Sequence, residues 1–247
     1  MKLGVNVDHI ATLRQARGTS YPDPVVGALL CEYAGCNSVV AHLREDRRHI
    51  NERDIFLIRN AIKIPFNLEM SVNQAIVAIA VTLKPQQVTF VPERRKELTT
   101  EGGIDLFKCY RKVETAVKKM QNKGIKVSLF IDPSKAQIER AKKIGADLIE
   151  LNTGKYSEAK SSASVVKESR KIREAARFAK GLGFFVAAGH GIDYANVTSV
   201  IRIKEIEELN IGHAIVCRSV FVGLAAAVEE MLALICPKRS GKHNEIS

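Results

Sequence analysis

The chain has 247 residues, 46% hydrophobic and 26% charged, and its 38 Lys and Arg outnumber 27 Asp and Glu to leave a net charge of +11. This is the composition of an ordinary globular protein, and no apolar run approaches the roughly 20 residues that span a bilayer, so no membrane partner is expected. The basic excess suits either nucleic acid or anionic metabolites; because the cations are spread over expected helix faces without interleaved aromatics, and Trp is absent, no nucleic-acid partner is expected.

The chain begins Met1-Lys2-Leu3-Gly4 without a signal-peptide pattern. Its five cysteines, Cys31, Cys36, Cys109, Cys217 and Cys236, are odd in number and show no CxxC spacing. Reduced, buried thiols and a cytoplasmic location follow.

In chain order, short runs rich in Val, Ile and Phe are expected as strands at 3–7, 38–42, 64–69, 87–91, 126–131, 147–151, 184–188 and 208–211. Helical segments separate them, which implies parallel pairing with right-handed crossovers. Asp23-Pro24 reads as an N-cap followed by the first helical residue, while Ser71…Gln74 and Ser134…Gln137 have capping-box spacing. Gly35, Gly124, Gly145 and Gly183 mark helix ends just before strands. Eight strand–helix units close a barrel, so the expected fold is α/β, a single-domain (β/α)8 TIM barrel with extra short helices over 1–236. Residues 237–247 are expected as a flexible basic tail. The stretch 92–103 is long enough to act as a lid.

In such a barrel the reactive groups lie where strands end. The first strand delivers Asn6, Asp8 and His9, and the second delivers His42, Arg44 and His49. The third ends in Glu69, the sixth in Glu150, the seventh in Gly189-His190-Gly191 and the eighth in Gly212-His213. Five of the six histidines thus fall at strand ends. Each residue alone has an ordinary structural reading; their convergence on one face points to a site. The glycines after strands seven and eight, followed by a short helix over 214–220, form an expected phosphate cradle.

Histidines 9, 42, 190 and 213 are a conceivable zinc set. The absence of an HExxH pair or cysteine cluster, with Arg44 close by, argues for no metal and no cofactor. No lysine ends a strand; Lys155 is the nearest candidate for a Schiff base. A phosphate-sugar epimerase or aldolase and a basic binding protein remain open on these residues alone.

Longer stretches carry a resemblance: Gly4-Val-Asn-Val-Asp-His-Ile-Ala-Thr-Leu-Arg-Gln-Ala-Arg-Gly18, Ala41-His-Leu-Arg-Glu-Asp-Arg-Arg-His-Ile50, Asn67-Leu-Glu-Met70, Val91-Pro-Glu93, Leu98-Thr-Thr-Glu-Gly-Gly103, Ala188-Gly-His-Gly191 and Leu209-Asn-Ile-Gly-His-Ala214. Over about residues 3 to 235 the chain resembles the pyridoxine 5′-phosphate synthases. That resemblance implies a ring-closing condensation of 3-amino-2-oxopropyl phosphate with 1-deoxy-D-xylulose 5-phosphate, giving pyridoxine 5′-phosphate, phosphate and water. It implies His42 and Glu69 as general bases, His190 as general acid and Glu150 as transition-state stabiliser. Asp8, His9, Arg44, His49 and Thr99 match positions that hold deoxyxylulose phosphate; Asn6, Arg17, Gly191, Gly212 and His213 match those that hold the amino-ketone. It also implies a homo-oligomer, an octamer. Asn152 and Ala187 depart from the usual His and Asn of that pattern.

Overall fold

The computed structural model describes residues 1–93 and 102–236. The elements run β1 (Lys2–Asn6), α1 (Asp8–Arg17), α2 (Pro24–Tyr33), β2 (Ser38–Leu43), α3 (Glu52–Ala61), β3 (Phe66–Met70), α4 (Gln74–Leu83) and β4 (Gln87–Phe90). They continue α5 (Tyr110–Gln121), β5 (Lys126–Ile131), α6 (Lys135–Ile144), β6 (Leu148–Asn152), α7 (Gly154–Ser157) and α8 (Ser162–Gly181). The last are β7 (Phe185–Gly189), α9 (Val197–Val200), β8 (Glu208–Ile211), α10 (His213–Val222) and α11 (Leu224–Ile235). Each strand pairs in parallel with the next, and β1 closes the ring on β8 through Lys2↔Glu208 to Val5↔Ile211. The expected single (β/α)8 barrel is therefore present, with the short α7 and α9 as additions.

Strand boundaries move by a residue or two for local reasons. Pro65 has no N–H to give a ladder, so β3 starts at Phe66, whose amide donates to the Gln86 side chain at 3.0 Å. Asp23 caps α2 through the Val25 amide as expected, and the four helix-ending glycines all take φ between 74° and 93°. Neither expected capping box forms. Asn73 caps α4, while Ser71 bonds Glu45 instead; Ser134 precedes α6 without a side-chain cap, and Gln137 reaches the Leu106 amide. The capping box is at Asn51 and Asp54 of α3.

Alternation along the strands sorts the residues. Leu3, Val5, Val39, Leu43, Phe66, Leu68, Val88, Phe90, Leu129, Ile149, Val186 and Leu209 join the apolar core beneath the helices. The alternate positions are largely polar and buried: Ser38, Asn67, Thr89, Ser128, Glu150, Glu208 and Asn210. Thr89 donates to Asn67 at 2.9 Å and Ser38 to Glu208 at 3.3 Å. The barrel lumen is thus unusually hydrophilic for a layer normally filled by branched aliphatics. Burial puts the main stabilisation in the layer between sheet and helices, which frees the lumen for polar groups that hold the mouth residues in place.

All five cysteines are free. Cys31 and Cys36 are buried as expected, but Cys217 and Cys236 are exposed because they lie on the outer helix α10 and just past the end of α11. Among the described residues no helix is long and apolar enough to cross a membrane.

Candidate active site

A cavity of about 600 Å³ opens at the carboxyl ends of the strands. Asn6, Asp8, His9, His42, Arg44, His49, Glu69, Glu150, His190, Gly191, Gly212 and His213 all line it. Two expected residues are not among them. Thr99 falls outside the described residues. Arg17 is exposed at the far end of α1: that helix starts at the mouth with Asp8, and nine residues of helical rise carry Arg17 about 14 Å along it. Arg14, one turn earlier, is buried on Asp54 in a two-pronged pair at 2.7 and 2.8 Å and also donates to His49 O at 2.9 Å, which fixes the loop after β2.

At the head of the first three strands, Asn6 Nδ2 donates to Asp8 Oδ2 at 3.1 Å and to Glu69 Oε2 at 3.4 Å. Asp8 Oδ1 accepts the His42 amide at 2.8 Å, and the Asp8 amide donates to Asn6 Oδ1 at 2.8 Å. Register places His42 beside Glu69 across β2 and β3. Asp8, His42 and Glu69 each offer a ligand atom within 4.8 Å of the others, a spacing that can accept a small cation. The four histidines weighed from the sequence do not gather that way: His9 packs edge-on against His213 with ring centres 5.0 Å apart, while His42 lies near His49 at 6.2 Å.

Glu69, half-buried, and Glu150, buried, are the acids of the floor. Burial, then the neighbouring carboxylates Glu150 and Asp8, raises the Glu69 carboxyl well above the usual range. Burial also lifts Glu150, to about 7, with the Asn210 hydrogen bond at 2.6 Å opposing and Glu208 adding to the rise. Such a pair retains a proton near neutral pH. Burial lowers His9, His49 and His190, which favours neutral imidazoles able to accept protons.

Opposite, β7 ends in two successive left-handed residues, His190 at φ 78° and Gly191 at φ 77°. A histidine there is strained, and the fold holds it: the Thr153 hydroxyl is shared between Gly189 O at 2.7 Å and His190 O at 2.6 Å. A side chain at Gly191 would collide with Ser157, and one at Gly212 would crowd Asn6 at 2.9 Å. From Gly212 α10 begins at the cavity rim, where Gly212, His213 and Ala214 line the cavity; a helix N-terminus is a place suited to an anion.

Sequence reasoning missed Glu93, Arg48 and Asn210. The carboxylate of Glu93 meets His42 Nε2 at 3.0 Å; Arg48 lines the cavity, and Asn210 holds Glu150. Lys155, the Schiff-base candidate, lies on α7 with a side chain 68% exposed, 3.8 Å from Asp132. Asn152 spans Asp132 and the Gly154 amide, a structural use of the position.

The family described as pyridoxal phosphate biosynthesis protein PdxJ matches residues 3–237. A pyridoxine 5′-phosphate synthase of Desulfatibacillum aliphaticivorans is 52% identical over 232 residues, covering 94% of this chain and 97% of that protein. Another, of Pseudoalteromonas translucida (strain TAC 125), is 48% identical over 238 residues, covering 96% and 98%. Among solved structures, phosphoribosyl anthranilate isomerase from Thermus thermophilus superposes with a TM-score of 0.61 over 95% of this chain and 98% of that one. At 13% identity that likeness speaks for the fold alone.

Proposed function

The chain belongs to the PdxJ family of pyridoxal phosphate biosynthesis proteins, and from that premise we infer an enzyme that closes the pyridine ring of pyridoxine 5′-phosphate. Its substrates are the amino-ketone 3-amino-2-oxopropyl phosphate and 1-deoxy-D-xylulose 5-phosphate. The observation that carries the reading is the gathering of His42, Glu69, Glu150 and His190 around one cavity, with Gly191, Gly212 and the start of α10 at its rim.

Ring closure needs repeated proton transfers, and the site supplies both kinds of group. His42 takes protons from the substrate carbons. Glu69 is the second base; burial with Glu150 and Asp8 nearby raises its carboxyl, and the ammonium of the incoming amino-ketone offsets that crowding and favours the carboxylate. His190, held in its strained turn, returns protons to the departing oxygen. Glu150 stabilises positive charge that develops on the ring nitrogen. Arg44, buried at the rim beside Asp46, serves with Asp8, His9, His49 and Thr99 in holding deoxyxylulose phosphate. Gly191, Gly212, His213 and Asn6 hold the amino-ketone. The two substrates form their imine with each other, because one carries a primary amine.

A cytoplasmic homo-oligomer completes the proposal. Val26, Leu29, Leu30 and Tyr33 share the outer face of α2 and all are exposed, an apolar stripe suited to a second copy. Arg17 keeps its substrate contact only if assembly brings it to the cavity of another copy.

The test is product formation. Chelator-treated protein supplied with both substrates should accumulate pyridoxine 5′-phosphate, followed by absorbance. No product, or activity lost with chelator and restored by zinc, overturns the reading of unaided acid–base chemistry.

A further inference from the structure

Glu93 is the last described residue before 94–101, just beyond β4, and it reaches across to β2. Its side chain is 6% exposed and that of His42 7%, so the contact between them is dry. One carboxylate oxygen lies 3.0 Å from His42 Nε2; the other accepts the Glu45 amide at 2.9 Å. Asp8 meanwhile holds the His42 backbone, while the ring itself meets Glu93.

We propose that Glu93 is the positioning residue for His42, holding a ring proton on Nε2 so that Nδ1 is the atom that accepts the substrate proton. This rests on the reading of His42 as a base. The argument is one of donors and acceptors. The Glu45 amide can only donate, so Glu93 Oε2 must accept. An ionised carboxylate has no proton to give, so the Nε2 contact requires a ring N–H. Burial raises the Glu93 carboxyl, but the hydrogen bonds from His42 and the Glu45 amide, with Arg44 nearby, oppose it, and the carboxyl lies below the usual range. When Nδ1 takes a proton, the imidazolium forms with its Nε2–H still on Glu93, and the charge is balanced within the dry pair.

Glu93→Gln separates this from a merely structural contact. Glutamine keeps size and shape but has one acceptor oxygen. That oxygen stays on the Glu45 amide, so the NH2 group turns to His42 Nε2 and drives the ring proton to Nδ1. The base is then blocked without being moved, the wrong-tautomer effect known from carboxylate–histidine pairs.

The experiment is 15N NMR of the full-length, histidine-labelled protein at a pH where the rings are neutral, with His42 identified by its loss in His42→Gln, beside kinetics of each protein. Expected is an Nε2–H tautomer at His42 in the parent, an Nδ1–H tautomer in Glu93→Gln, and a kcat lower by roughly 100-fold or more with both KM values little changed. An Nδ1–H tautomer in the parent overturns the proposal even if the variant does not fold. So does near-parental kcat in Glu93→Gln. Should His42→Gln itself keep its turnover, the reading of His42 as base fails, while the parent spectrum still reports whether Glu93 sets the tautomer.

Discussion

Replacing Glu150 by Gln should make the protein more stable above neutral pH while removing most of its turnover. The carboxyl is 3% exposed and, chiefly through burial, ionises at about 7 in place of the ordinary 4.5. Between those values the folded state keeps a proton that the unfolded chain has released. Stability therefore falls as pH rises from about 4.5 to about 7 and stays lowered above. At about 1.4 kcal/mol per pH unit, the gap between 4.5 and about 7 amounts to about 3 kcal/mol. Glutamine has the shape of the protonated acid, retains an oxygen to accept from Asn210, and cannot ionise. Urea unfolding of parent and Glu150→Gln should give similar free energies near pH 4.5 and a variant more stable by about 3 kcal/mol near pH 8.5. A difference independent of pH, or a variant weaker at the higher pH, refutes the claim that the native site holds a costly buried charge.

Glu69→Gln should fold normally and lose roughly 100-fold or more in kcat as a missing general base; near-parental turnover assigns Glu69 a structural role. The kcat/KM of the parent should decline toward acid through a group well above the ordinary carboxylate range, because Glu69 must lose its proton to act; a profile flat down to about pH 5 contradicts this. Arg44→Ala should raise the KM for deoxyxylulose phosphate by roughly tenfold or more and that for the amino-ketone far less; steady-state kinetics with each substrate varied will decide, and the reverse pattern means the two anion sites are exchanged.

What the sequence made legible follows the physics of each signal. Aliphatic runs interrupted by helix-ending glycines repeat along the chain, and Gly4 and Val5 of the first strand pair on both sides, with β2 and with β8, because the ring closes. His190 and Gly191 were readable because the triplet follows the seventh strand, where the loops of a barrel converge on its mouth. Glu93 was not: its partner His42 is 51 positions away, and a lone carboxylate after Val91-Pro92 looks like any loop charge. Arg17 stands away from the cavity of its own chain. A motif fixes the order of residues, whereas the length of α1 decides how far from the mouth the last one stands. The hydrophilic lumen was hidden by strands that read as apolar runs, since only alternation shows that Asn67, Thr89 and Asn210 share the inner face.

The central claim is that this site works by proton transfer alone, with no covalent bond between enzyme and substrate. Lys155, the candidate for such a bond, is not among the residues that line the cavity; its side chain is 68% exposed and lies 3.8 Å from Asp132. Borohydride added during turnover, followed by denaturation and intact-mass measurement, tests this directly. The account predicts an unchanged chain mass and a reduced small-molecule adduct joining the two substrates; a stable mass increase mapped to Lys155 or any other lysine contradicts it.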